Sequence, residues 1–229
     1  MDDDHSILQK PLSQLIADQL KKKIWNKEIE FGERLLESDL AESFDVSRST
    51  IREALKILEI EELVISKARK GTYVATFTEK DLDEIIELRT LIETTAFSKA
   101  LPKLEACHFN ALEKITKEMK IKAQAEDWKA LFDLDVQFHR YVVDLCDNSR
   151  IIKIYDSLQV QIRTFLMHLD QYYSSFHSFY EEHQTLLEAL KTKEASVVKE
   201  KVKNHIVYVE EKILGRKEVE DDKVIPNQK

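Results

Sequence analysis

Glycine and proline are scarce, with three of each in 229 residues; average usage of about 7% would supply roughly 16 glycines. So few glycines cannot build a phosphate-cradling P-loop, a GxGxxG turn or a turn-rich β-sandwich, and the chain must be mostly helix. Cysteine is limited to Cys107 and Cys146, far apart and without a CxxC pair. They read as reduced thiols rather than a disulfide framework. No apolar run approaches the ~18–20 residues that span a bilayer. Met1-Asp2-Asp3-Asp4 lacks the basic-then-apolar order of a signal peptide, so the expectation is a cytoplasmic protein with no membrane partner. Basic character is also lacking, with a formal net charge of -8. On that average alone nucleic-acid binding would be disfavoured.

Local patterns say more. After a flexible tail over 1–10, Pro11 suits the first position of a helix. Leu12, Leu15, Ile16, Leu20 and Ile24 then repeat at helical spacing. A turn at Gly32, a short helix carrying Leu40, Ala41 and Phe44, a tight break at Asp45-Val46 and a second helix from about Ser47 to Glu61 follow. That second helix should bury Ile51, Leu55 and Leu58. The period then becomes extended: Leu63-Val64-Ile65-Ser66 and Thr72-Tyr73-Val74-Ala75 flank Lys67-Ala68-Arg69-Lys70-Gly71, the pattern of a two-stranded hairpin. Residues 11–76 therefore read as a winged helix–turn–helix domain. Thr78-Glu79-Lys80-Asp81 resembles a capping box and opens an all-helical domain over 77–215. Its helices are expected near 79–101, 104–124, 127–146, 150–169, 174–191 and 194–214, with Gly215 as terminator and a flexible tail over 216–229. The fold class is mainly α, a winged helix–turn–helix followed by an all-α bundle.

Residues 46–76 reverse the charge argument. They carry six cations (Arg48, Arg52, Lys56, Lys67, Arg69, Lys70) against four anions (Glu53, Glu59, Glu61, Glu62). Ser47, Ser49 and Thr50 at the helix start can donate to phosphates, while Arg48 and Arg52, one turn apart, can fork onto guanine or clamp phosphates. Val46-Ser47-Arg48-Ser49-Thr50-Ile51-Arg52-Glu53-Ala54-Leu55, with the wing ending Gly71-Thr72-Tyr73-Val74, resembles the DNA-binding domain of the GntR family of bacterial transcription regulators. The resemblance implies that Ser47, Arg48, Ser49, Thr50, Arg52, Lys70 and Gly71 contact double-stranded operator DNA. Many members carry proline where this chain has Thr50. Ser38 stands where some carry an arginine, so that contact does not transfer.

In the helical domain four polar residues occupy apolar positions. Asp135 and His139 lie one turn apart beside the stripe Trp128, Leu131, Leu134, Phe138, Val142 and Leu145. His183 fills the missing step of Phe176, Phe179, Tyr180, Leu186, Leu187 and Leu190. His205 sits within Val198, Val202, Ile206, Val209 and Ile213. Each left unpaired in a core would cost on the order of 1–3 kcal/mol. A divalent metal would satisfy all four, and imidazole with one carboxylate suits Zn²⁺, Ni²⁺, Mn²⁺ or Fe²⁺. A purely structural polar cluster is the alternative.

Asp135-x-x-x-His139, Glu182-His183-x-x-Leu186-Leu187 and Asn204-His205-Ile206 resemble the metal-ligand signature of the FCD domain in the FadR subfamily of GntR regulators. Glu87-Leu88-Arg89-Thr90-Leu91-Ile92-Glu93 resembles that domain's opening helix. The resemblance implies a homodimeric regulator, more often a repressor, whose grip on a pseudo-palindromic operator is altered by a small organic acid at the metal. Arg89 and Arg163 are candidates to fork onto its carboxylate. Two alternatives stand beside this reading: a regulator binding an acyl ligand without metal, and a metal-dependent hydrolase with Glu182 as base. The expectation is no enzyme activity.

Overall fold

The computed structural model describes residues 10–168 and 175–214. The expected tails, the terminating Gly215 and the side chains of Val209 and Ile213 lie outside the described residues. The chain divides into two compact units, one of residues 1–85 and 149–168, the other of 86–148 and 169–229.

The first unit opens with helix α1 (Leu12–Trp25), strand β1 (Arg34–Leu35), α2 (Glu37–Ser43) and α3 (Arg48–Ile60). Strands β2 (Val64–Lys67) and β3 (Gly71–Val74) follow. Ile16, Leu20 and Ile24 of α1 meet Ile51, Leu55 and Leu58 of α3 in one buried cluster. Leu12 and Leu15, expected in that stripe, are 54% and 46% exposed, because the buried face runs through Ser13, Ile16, Ala17, Leu20 and Ile24 instead. Lys21 is buried along its stem and pairs with Glu61 Oε1 at 2.9 Å, tying α1 to the end of α3. Between α2 and α3 the chain reverses at Asp45, whose φ of 52° is left-handed, and Val46 N–H donates to Ala41 O at 3.0 Å.

The expected two-stranded hairpin is a three-stranded sheet in the order β1-β3-β2. Strand β1 pairs antiparallel with β3, Arg34 opposite Tyr73, and its two residues are too few to show alternation in sequence. The third strand gives the marginal hairpin an added partner. Gly71 has φ of 103°, and a Cβ there would meet Arg34 Nε at 3.2 Å. Gly71→Ala is therefore expected to cost about 1–3 kcal/mol, read as a lower urea midpoint with an unchanged slope.

Helix α4 (Glu79–Ala100) starts in this unit. Its capping box forms as expected: Thr78 N–H donates to Asp81 Oδ2 at 2.7 Å and Asp81 N–H to Thr78 Oγ1 at 3.2 Å. Helix α7 (Ser149–His168) also belongs here. Trp25 Nε1–H donates to Thr164 Oγ1 at 2.9 Å, Val160 packs on the α1–α3 cluster, and Phe165 meets Phe77 edge-on at 6.4 Å.

The second unit holds the rest of α4, then α5 (Ala106–Gln124), α6 (Trp128–Asp144), α8 (Phe176–Thr192) and α9 (Ala195–Leu214). Helix α5 packs on α6 and α8, and α8 packs on α9. Asp127 caps α6 by accepting from Ala130 N–H at 3.0 Å, and Ser175 caps α8 by accepting from Ser178 N–H at 3.2 Å. Trp128 stacks on Phe176 at 4.2 Å, closing α6 against α8 at one end. Among the described residues no helix is long and apolar enough to cross a membrane.

Candidate functional site

Two sets of side chains carry the chemistry, one in each unit. In the first, Ser47 is the N-cap of α3, accepting from Thr50 N–H at 3.2 Å. Its Oγ lies 2.7 Å from Ser49 Oγ and 2.8 Å from Thr50 Oγ1. The three hydroxyls thus form one knot over the positive end of the helix, with Ser47 and Ser49 exposed. Arg48 is exposed beside them. Arg52 is also exposed, but its Nε donates to Glu37 Oε2 on α2 at 2.7 Å, so a DNA contact by Arg52 competes with an ion pair that sequence reading did not anticipate.

The wing presents Lys67, Arg69 and Lys70, all exposed. Lys67 Nζ sits over the Tyr73 ring at 4.7 Å, and Tyr73 OH donates to Lys70 O at 3.2 Å. Arg34 of β1 adds a cation against Gly71. It escaped the sequence reading because only the β1–β3 pairing brings it to a turn 37 residues away.

In the second unit the four polar residues picked from the apolar stripes converge. Asp135, His139, His183 and His205 are all buried, and one ligand atom from each lies within 4.8 Å of the others. These four residues could hold a metal ion. His183 Nε2 is 3.0 Å from Asp135 Oδ1, while its Nδ1 is 2.9 Å from Phe179 O. A neutral imidazole has one N–H and can satisfy one of those two acceptors; a cation at Nε2 satisfies both. His139 Nε2 and His205 Nε2 face each other at 3.1 Å, and His205 Nδ1 is buried without a hydrogen bond. The His183 and His139–His205 mismatches are relieved if the Nε2 lone pairs point at a shared cation, so the donor set fits a divalent metal.

Electrostatics agree. Burial works to raise the Asp135 carboxyl, but the Arg89 guanidinium and then His139 and His183 outweigh it, holding the group well below the usual carboxylate range. Burial pushes the His205 imidazole down to about 3, against the pull of Glu182, whose Oε2 lies 3.9 Å from His205 Nδ1. His205 is thus a neutral donor across the physiological range, the form a metal requires.

Of the two arginines expected near this cluster, Arg89 reaches it. It is buried, its Nε donates to Glu93 Oε1 at 2.9 Å and its Nη2 lies 3.5 Å from Asp135 Oδ2. Arg163 is grouped with the first unit, its guanidinium 3.9 Å over the Trp25 ring. Glu93 was quoted in sequence only as part of a motif. It is fully buried and its Oε2 lies 2.6 Å from His139 Nδ1. Its i+4 spacing from Arg89 was the visible signal.

Comparison with known proteins bears on both sets. Residues 12–74 match the domain described as "Bacterial regulatory proteins, gntR family", and residues 84–208 match the FCD domain. The chain is 31% identical over 203 residues to the gluconate operon transcriptional repressor of Bacillus subtilis (strain 168), covering 86% of this chain and 83% of that one. It is 32% identical over 188 residues to the repressor of the same name in Bacillus licheniformis, covering 80% and 77%. The crystal structure of a GntR regulator from Rhodococcus sp. RHA1 shares the fold, with a TM-score of 0.77 at 22% identity over 90% of this chain and 98% of that one. With a family match on each unit and relatives similar along most of its length, the chain belongs to the gntR family of bacterial transcription regulators, pairing a DNA-binding winged helix–turn–helix with an FCD domain.

Proposed function

We propose that this regulator is a ligand-responsive repressor. Residues 11–76 read DNA and residues 77–215 sense a small carboxylate at a divalent metal held by Asp135, His139, His183 and His205. The observation that carries this reading is the four-donor cluster itself, with His183 poised between two acceptors at 2.9 and 3.0 Å. Three imidazoles and one carboxylate suit Zn²⁺, Ni²⁺, Mn²⁺ or Fe²⁺. Such a cation supplies an electrophilic anchor for a carboxylate oxygen. Arg89, beside Asp135, adds a donor of matching sign. Two similar proteins are named repressors of gluconate operons, which supports a sugar acid or related hydroxycarboxylate as effector.

A homodimer places two α3 helices about one DNA turn, ~34 Å, apart on a pseudo-palindromic operator in the cytoplasm. Ser47, Arg48, Ser49, Thr50 and Arg52 then face the groove and phosphates, with Lys70 and Gly71 at the wing. Effector and operator affect each other's affinity by the same factor, so an acid that binds the DNA-free form better releases repression. No catalytic step is needed.

The test is metal analysis after chelator-free purification, followed by gel shifts of the chain's own upstream DNA with gluconate and related acids. The expected results are one divalent ion per chain, a shift lost on adding acid, and acid recovered unchanged. A metal-free chain whose shift responds to acyl ligands, or turnover of the acid, overturns the reading.

A further inference from the structure

Glu93 lies outside the ligand set, yet it is a fully buried carboxylate on α4 that joins two members of the site neighbourhood. One oxygen accepts from Arg89 Nε–H at 2.9 Å and the other lies 2.6 Å from His139 Nδ1, bridging to α6 across 46 residues of sequence. Arg89 reaches on to Asp135 Oδ2 at 3.5 Å, and His139 Nε2 returns to Asp135 Oδ1 at 3.7 Å. The four side chains close a ring in which carboxylates alternate with nitrogen-bearing groups. A carboxylate serving Arg89 alone would not need its second oxygen aimed at an imidazole.

We infer that Glu93 is the positioning residue that keeps the His139 proton on Nδ1 and so leaves Nε2 bare, aimed at the other three donors, as a metal ligand. The inference rests on the metal reading above. It follows from proton counting: a neutral imidazole has one N–H, and an ionised carboxylate at Nδ1 fixes where it sits. Arg89 holds the same carboxylate in place from the other side. Glutamine, of equal size, cannot repeat this. Its carbonyl can accept from His139 only by turning its amide N–H₂ onto Arg89 Nε–H, donor against donor. Turned the other way, the amide donates to Nδ1 and drives the proton onto Nε2, blocking the ligand atom.

The experiment uses the full chain, ¹⁵N-labelled at histidine and stripped of metal, as wild type and Glu93→Gln. Nitrogen NMR reads the His139 tautomer, assigned by loss of its signal in His139→Gln. Competition with a chromophoric chelator reads Zn²⁺ affinity. Wild type is expected to show Nδ1–H on His139. Glu93→Gln is expected to shift protonation to Nε2 and to bind Zn²⁺ roughly 10- to 100-fold more weakly. A purely structural carboxylate would lower the melting temperature without moving the tautomer. Zn²⁺ uptake by wild type with tautomer and affinity unchanged in Glu93→Gln overturns the role of Glu93 alone; no uptake by wild type overturns the metal reading beneath it. Should Glu93→Gln fail to fold, a protonated Nε2 on His139 in the wild-type spectrum still overturns the inference.

Discussion

Arg48→Ala is expected to abolish specific operator binding while leaving metal uptake and dimerisation unchanged. Arg48 is exposed at the first turn of α3, beside the hydroxyl knot of Ser47, Ser49 and Thr50. A bidentate arginine–guanine pair is worth about 1–3 kcal/mol per half-site. A dimer loses it twice, so affinity should fall by roughly 10²–10⁴-fold, read by titration of labelled operator at fixed salt. Arg52→Ala should also weaken binding, but Arg52 starts from an exposed ion pair with Glu37. Freeing it costs at most about 1 kcal/mol per half-site, and Glu37→Gln, which removes that competitor twice in the proposed dimer, should tighten binding by up to ~30-fold. An Arg48→Ala protein that shifts operator like wild type would place the reading face elsewhere.

The second large effect concerns His183. His183→Ala removes the imidazole that bridges Asp135 and Phe179 O, leaving three donors, among them a buried carboxylate with one neighbour fewer. Loss of a direct ligand should exceed the 10- to 100-fold typical of its supporting partners. A metal present at 1,000 times its dissociation constant stabilises the folded chain by about 4 kcal/mol. The wild-type melting temperature should therefore rise clearly on adding Zn²⁺, and that of His183→Ala should not. An equal rise in both proteins would show that the added ion binds away from this cluster.

These predictions draw on readings of different origin. Helix α3 and the Thr78–Asp81 box were legible because caps and periodicity are local, written within a few residues of where they act. Asp135, His139, His183 and His205 were legible for a related reason. A polar residue at an apolar helical position must find a partner in the core, and four such residues in three helices suggest one another. Strand β1 was not legible, since two residues carry no alternation. Arg34 at the wing and Glu37 on Arg52 were equally hidden, being surface charges whose partners are set by packing rather than spacing. The contact of Arg163 with the face of Trp25 was hidden in the same way.

The sequence by itself determined a great deal. Three glycines left helix as the main structure, the cluster of cations and hydroxyls at 47–52 marked the proposed DNA-reading edge against a net charge of -8, and stripe-breaking residues named the candidate metal site. Only the tertiary structure decided which side chains serve those residues. It joined α7 to α1 through Trp25 and Thr164, and it set Glu93 between Arg89 and His139. The physical reason is range. Backbone periodicity and capping act over one or two turns and are recorded in neighbouring letters. The proton on an imidazole and the partner of a buried charge are set by atoms brought within about 3 Å by packing, wherever they stand in the chain.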